Sequence, residues 1–157
     1  MIRVSTWNLC LGIKNKKDIV YDTLTRNKID ICALQEVEIQ KDFPTNLLSS
    51  TNYKIEIEQS SGKARNATVI KNGIDYTRRR DLEKEDVSLV VIDVNSKPIT
   101  RIINVYRSFN PPNNKHPLAA FREQLELIKI CSINLENIEL IILGDFNLDF
   151  NCKNLNT

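Results

Sequence analysis

Apolar and polar residues alternate along this chain in short blocks, most of which read as strands. Ile2 to Asn8 predicts a first strand. From about Lys16 to Asn27, Ile19, Val20 and Leu24 recur on one side with charges elsewhere, the pattern of an amphipathic helix returning the chain to a sheet. "IDICALQE", 29 to 36, predicts a buried strand that ends in Gln35 and Glu36. "YKIEIE" alternates with period two, and "ATVIKNGIDYTRRR" places Asn72-Gly73 between two strand-like runs, the strongest short signal for a β-hairpin. "VSLVVIDV" and "ITRIINVYR" predict a further strand pair around a turn at Asn95 to Pro98. After the "NPPNNKHP" loop, Pro117 opens a helix with Leu118, Phe121, Leu125 and Ile128 at helical spacing, running to about Asn134. A last apolar run, Leu140 to Leu143, stops at Gly144, Asp145, Phe146 and Asn147.

These elements predict an α+β layered architecture, with one mixed, largely antiparallel sheet and about two covering helices. Two helices cover one face of such a sheet, whereas "SLVVI" and "LIIL" read as strands that need cover on both. The missing layer is expected from further sequence, and a bare apolar face is a route to self-association. No repeat, low-complexity tract or linker divides the chain, so residues 1–157 read as one incomplete domain.

Composition adds limits. With 41% hydrophobic and 27% charged residues a packed core is expected, and a net charge of +2 is too small to announce nucleic-acid binding. Arg3, Ser5, Thr6 and Asn8 interrupt any signal peptide, and no later run reaches membrane-spanning length. The expected setting is therefore intracellular, nuclear or cytoplasmic, with no membrane partner. Cys10, Cys32, Cys131 and Cys152 form no CxxC pair and have no histidine at zinc spacing, so they read as reduced, mostly buried thiols.

Polar groups gather where strands end: Trp7-Asn8, Gln35-Glu36, Tyr106-Arg107 and Asp145-Phe146-Asn147. Mg²⁺ takes oxygen ligands, usually one or two carboxylates with water and substrate phosphate, which suits Glu36. Asp145 suits a second coordination position or the orientation of an attacking water, and Asn8 and Asn147 suit amide hydrogen bonds to metal-bound water or phosphate oxygen. Tyr106 offers a phenol to an oxygen that gains charge in the transition state. Trp7 and Phe146, beside these groups, read as packing beneath the site.

"STWNL", "ALQEVE", "NVYRSFNPP" and "ILGDFNLD", in that order, resemble the endonuclease/exonuclease/phosphatase superfamily of Mg²⁺-dependent phosphoesterases. Within it, "TRRRDLE", "VYRSFNPP" and "GDFNLDF" are similar to the apurinic-type endonuclease domain of non-LTR retrotransposons, which nicks DNA. The resemblance implies a four-layer α/β sandwich, Mg²⁺ (with Mn²⁺ as a substitute) on Glu36, and DNA as substrate. It further implies that Asn8 orients a catalytic group, Tyr106 contacts the scissile phosphate, Asp145 aids the nucleophile or leaving group, and Asn147 stabilises the phosphate. Asn110, one residue out of register with the family's asparagine, is a further phosphate contact. Cys10 and Glu38 stand where abasic-site relatives carry aspartate and lysine, which argues against a dedicated repair enzyme.

The resemblance also implies a second half that supplies another aspartate and an Asp-His pair. The chain's one histidine, His116, follows Lys115 and reads as a loop or helix-start residue. Catalysis by these residues alone is expected to be weak, because losing a general acid or base costs about 10²- to 10⁴-fold. Arg78 and Arg80, with Arg79 sent to the opposite face, are candidates for DNA phosphates; the alternative is a solvated edge hairpin. Two other functions stay open: a phosphatase for a small inositol or lipid-headgroup phosphoester, and a non-catalytic remnant or binding module.

Overall fold

The computed structural model describes residues 2–10, 12–133 and 135–148. Strand β1 (Val4–Asn8) leads through helix α1 (Lys17–Arg26) to β2 (Ile31–Gln40), which lies parallel to it. Strands β3 (Tyr53–Ile57) and β4 (Lys63–Lys71) add antiparallel, giving the order β1-β2-β4-β3. A second sheet repeats the plan: β5 (Tyr76–Arg78), β6 (Leu89–Val94) and β7 (Ile99–Tyr106) are antiparallel. Helix α2 (Pro117–Cys131) then carries the chain to β8 (Ile138–Asp145), parallel to β7, in the order β5-β6-β7-β8.

The layers follow from strand alternation. On the first sheet's outer face Cys32, Leu34, Ala67 and Val69 pack with Val20, Tyr21 and Leu24 of α1. Its inner face offers Ile31 and Ile70 to Ile92, Val94 and Ile102 of the second sheet. Leu89, Val91, Ile103 and Val105 point outward from that sheet to Cys131, Leu127 and Ile128. The result is helix, sheet, sheet, helix, an α+β sandwich of four layers.

Two expectations change. Two sheets stand where one was predicted, and each supplies the cover the other needs, so the bare face expected of a half-domain is closed within the chain. The chain does turn at Asn72-Gly73, with Ile74 N–H donating to Lys71 O at 3.2 Å, but it joins β4 and β5, which belong to different sheets. A hairpin signal is local, and burying Ile31 and Ile70 against a second sheet outweighs local pairing. The edge strands are β1 and β3 in one sheet and β5 and β8 in the other, and the ends of β1 and β8 meet through Asn8 and Asp145.

The helix faces agree in part: Val20 and Leu24 of α1 and Ile128 of α2 meet the core as their spacing predicts, and other members of the stripes do not. Ile19 of α1 is 62% exposed, and Leu118 and Leu125 of α2 are 48% and 43% exposed, while α2 buries Gln124 and Cys131. His116 is the cap of α2, its Nδ1 accepting from Leu118 N–H at 3.3 Å. Cys32 and Cys131 are buried and Cys10 is exposed; Cys152 and the expected helix end at Asn134 fall outside the described residues. No described helix is long and apolar enough to cross a membrane.

Candidate active site

The two parallel strand pairs end at one rim. Asn8 is in register with Gln35 across β1 and β2, and Tyr106 with Asp145 across β7 and β8. Beyond Gln35 the β2 ladder slips, with register lost between Gln35 and Ile39. In this bulge Glu36 and Glu38 adopt positive φ, 55° and 52°. Such backbone is uncommon for residues other than glycine and lifts the Glu36 carboxylate out of the ladder toward the rim.

Asn8 ties the rim together. Its Nδ2 donates to Glu36 Oε1 at 3.0 Å and to Asp145 Oδ2 at 2.7 Å. Its Oδ1 accepts from the Cys10 N–H at 2.9 Å, which sets the amide so that nitrogen faces both carboxylates. The Tyr106 hydroxyl lies 3.4 Å from Glu36 Oε1. Burial, then the negative fields of Glu36 and Asp145, push the Tyr106 phenol above its ordinary range, and the charge of Arg65 opposes them. The phenol therefore stays protonated and able to donate at neutral pH.

Asp145 and Asn147 are held by a tight turn. Asn147 N–H donates to Asp145 Oδ1 at 2.9 Å, and Asn147 Nδ2 donates to Arg107 O at 2.7 Å. Arg107 returns the contact through Nη1 to Asn147 O at 2.9 Å. Gly144, with φ of 139°, packs so closely on β7 that a Cβ would lie 1.9 Å from Val105 O. Trp7, Phe109, Phe146 and Leu148 line an open cleft with Asn8 and Asp145, and the first and third also pack into the hydrophobic clusters below.

Of the residues singled out in the sequence, Asn8, Glu36, Tyr106, Asp145 and Asn147 come together. Asn110 stands at an adjoining cleft, where its carbonyl faces Arg65 Nη1 at 3.5 Å. Arg78 and Arg80 lie at the far end of the second sheet, separated from β8 by β6 and β7. Arg78 is internal, bound to Glu83 at 2.7 Å and Glu56 at 3.2 Å, which corrects its reading as a DNA contact; Arg80 remains exposed. Arg79 faces the other way, to Asp81 and Asp93.

Sequence reading missed a buried amide cluster under the rim. Gln35 Nε2 donates to Asn104 Oδ1 at 2.9 Å, Asn104 Nδ2 to Ala67 O at 2.8 Å, and Asn66 Nδ2 to Asn104 O at 2.9 Å. The signal was an asparagine inside the apolar run "IINVY". Arg65 and Glu58 were missed as well, since nothing local sets them apart.

Two convergent carboxylates with neutral amide and phenol neighbours form an all-oxygen and amide donor set, which fits a hard divalent cation. Among the described residues no cluster of three or more metal-ligating side chains occurs, so further positions would fall to water or substrate.

The elements build a four-layer α+β sandwich with a carboxylate and amide rim on one side. The chain belongs to the endonuclease/exonuclease/phosphatase family, whose profile matches residues 5–154. That superfamily is generally dependent on divalent metal. No curated protein matches the sequence. The fold is similar to the endonuclease domain of TRAS1, a telomere-specific non-LTR retrotransposon, with a TM-score of 0.68 and 19% identity over 95% of this chain and 62% of that one. It is similar to an AP endonuclease from Archaeoglobus fulgidus, with a TM-score of 0.64 and 19% identity over 94% of this chain and 58% of that one. It also matches the 3′ phosphatase NExo from Neisseria bound to product DNA hairpin, with a TM-score of 0.63 and 20% identity over 94% and 58%. The chain thus spans about three fifths of the length of these structures.

Proposed function

We propose that these residues form part of the active site of a Mg²⁺-dependent phosphodiester hydrolase that nicks DNA, of the retrotransposon endonuclease type. The observation that carries the reading is the single Asn8 amide holding Glu36 and Asp145 together at the rim. Glu36, on its bulge, would hold the cation, with Asp145 beside it. The ion would supply positive charge to a phosphate oxygen and to a nucleophilic water. Tyr106 donates its hydroxyl proton to a phosphate oxygen, which gains negative charge in the transition state. Asp145 accepts a proton from the attacking water, and the turn through Asn147 and Arg107 keeps it aimed. His116 is engaged as the cap of α2 and is given no part in the chemistry.

Nicking of supercoiled plasmid by the full-length protein is the test. Activity is expected to need Mg²⁺ and to fall about 10²-fold or more in Glu36→Ala and in Asp145→Ala. Wild-type rates in either variant would reject the site. Nicking should also weaken steeply with salt, because DNA binding releases several counterions, whereas a small phosphoester would give a shallow dependence.

A further inference from the structure

We infer that Arg65 is a substrate-binding residue: it takes the phosphate next to the scissile one on a DNA strand lying across Tyr106. The inference rests on the phosphodiester reading above and extends it along the strand.

Arg65 lies on β4 opposite the β2 bulge. The ladder places Asn66 against Gln35 and Ala64 against Ile39, so the residue between them faces the segment that carries Glu36 and Glu38. From there its guanidinium reaches over to the loop after Tyr106, donating through Nη1 to Ser108 Oγ at 2.6 Å. Arg65 therefore spans the β2 bulge that presents Glu36 and the end of β7 that presents Tyr106.

The guanidinium is held by one edge, with the other left free of hydrogen bonds among the described residues. Its Nε is 3.7 Å from Glu38, beyond hydrogen-bond reach, while Glu38 sits 2.6 Å from Lys63. The Arg65 side chain is 32% exposed, and among the described residues Nη2 donates to nothing. An arginine with one edge fixed and the other free presents the planar fork that binds phosphate.

The surroundings favour an anion. Arg65 borders a cleft of about 170 Å³ beside Tyr106, lined also by Lys63, Arg107 and Asn110. The acids in its wall are engaged elsewhere: Glu58 accepts from Ser88 and the Arg65 N–H, Asp86 from Ser61 and Asn113, and Glu123 from Lys84 and Lys115. Arg107 lies over the Phe121 ring at 4.5 Å. The cleft thus brings Arg65 and Arg107 beside Tyr106, and it is too small for a drug-sized ligand while ample for a phosphate.

The test uses the full-length protein, wild type and Arg65→Ala, with Arg65→Lys as a charge-preserving control. Binding of a fluorescein-labelled DNA duplex is followed by anisotropy in EDTA across a salt series. Hydrolysis is measured in Mg²⁺ on the same duplex and on bis(4-nitrophenyl) phosphate, a diester with a single phosphate. Arg65→Ala is expected to weaken duplex binding about tenfold and to flatten the slope of log K against log salt by about 0.9. The ratio of kcat/KM on duplex to that on the single-phosphate diester should fall about tenfold, and Arg65→Lys should restore the slope more than the affinity. An unchanged slope and ratio would overturn the inference, as would equal losses on both substrates, which would place Arg65 at the scissile phosphate. If Arg65→Ala does not fold, Arg65→Lys with an unchanged affinity also overturns it. A wild-type protein that binds duplex with the expected Arg65 dependence yet hydrolyses neither substrate would reject the phosphodiesterase reading and leave this one standing.

Discussion

Glu58 is the residue whose setting departs most from its ordinary chemistry. Its carboxyl is enclosed beside Tyr106, accepts from Ser88 and the Arg65 N–H, and is pushed up by burial to about 7. An unfolded chain would ionise it near the model-compound value of 4.5. Between those values the folded state keeps the proton and the unfolded state has released it. The group's contribution is therefore full below about 4.5 and is lost as pH rises to about 7, a change of roughly 3 kcal/mol at most. Glu58→Gln keeps the neutral hydrogen-bonding shape and removes the titration. Its Tm should match wild type near pH 4.5 and exceed it by pH 8, by thermal melts across that range. A difference that stays constant with pH would reject the assignment. Nothing around Glu58 in "YKIEIEQSS" distinguishes it from Glu56, because both fall on one alternating pattern, Glu56 within β3 and Glu58 just past its end, and only the fold decides which is enclosed.

At the scale of elements, β8 carries Asp145 to the rim and depends on Gly144 to do so. With φ of 139° and a would-be Cβ 1.9 Å from Val105 O, the glycine permits contact that no other residue allows. Gly144→Ala is expected to destabilise by about 2 kcal/mol or more, read by urea denaturation, and to lower nicking by displacing Asp145. Wild-type stability would show that β8 can move away from β7 without cost. The elements themselves were largely legible, since α1, α2 and the strands follow the apolar periods. Their facing was less so. Val20, Leu24 and Ile128 meet the core as their spacing predicts, but Ile19, Leu118 and Leu125 of the same stripes are exposed, and α2 buries Gln124 and Cys131. A period gives a stripe's existence; the shape of the sheet beneath chooses its angle.

At the scale of the whole molecule, the two sheets are joined under the site by polar contacts. Asn104 of β7 bridges to Gln35 of β2 and to Ala67 of β4, and Asn66 Oδ1 is buried without a partner among the described residues. Removing the Asn104 amide leaves a buried donor and a buried acceptor unpaired. Asn104→Ala should therefore cost roughly 2 to 4 kcal/mol, by chemical denaturation, more than its small volume change implies. A loss under about 1 kcal/mol would mean that water replaces the amide.

The sequence by itself determined the α+β class, the order of most elements and the four residues Asn8, Glu36, Tyr106 and Asp145, although β2 runs on past Glu36 through a bulge. These are read from period, polarity and short motifs, which act over a few residues. Only the tertiary structure decided that the strands divide into two sheets, that Asn72-Gly73 links them, and that Arg78 is internal while Arg65 faces the rim. Those outcomes depend on contacts between residues far apart in the chain. There the apolar area removed from water outweighs the preference of any single turn.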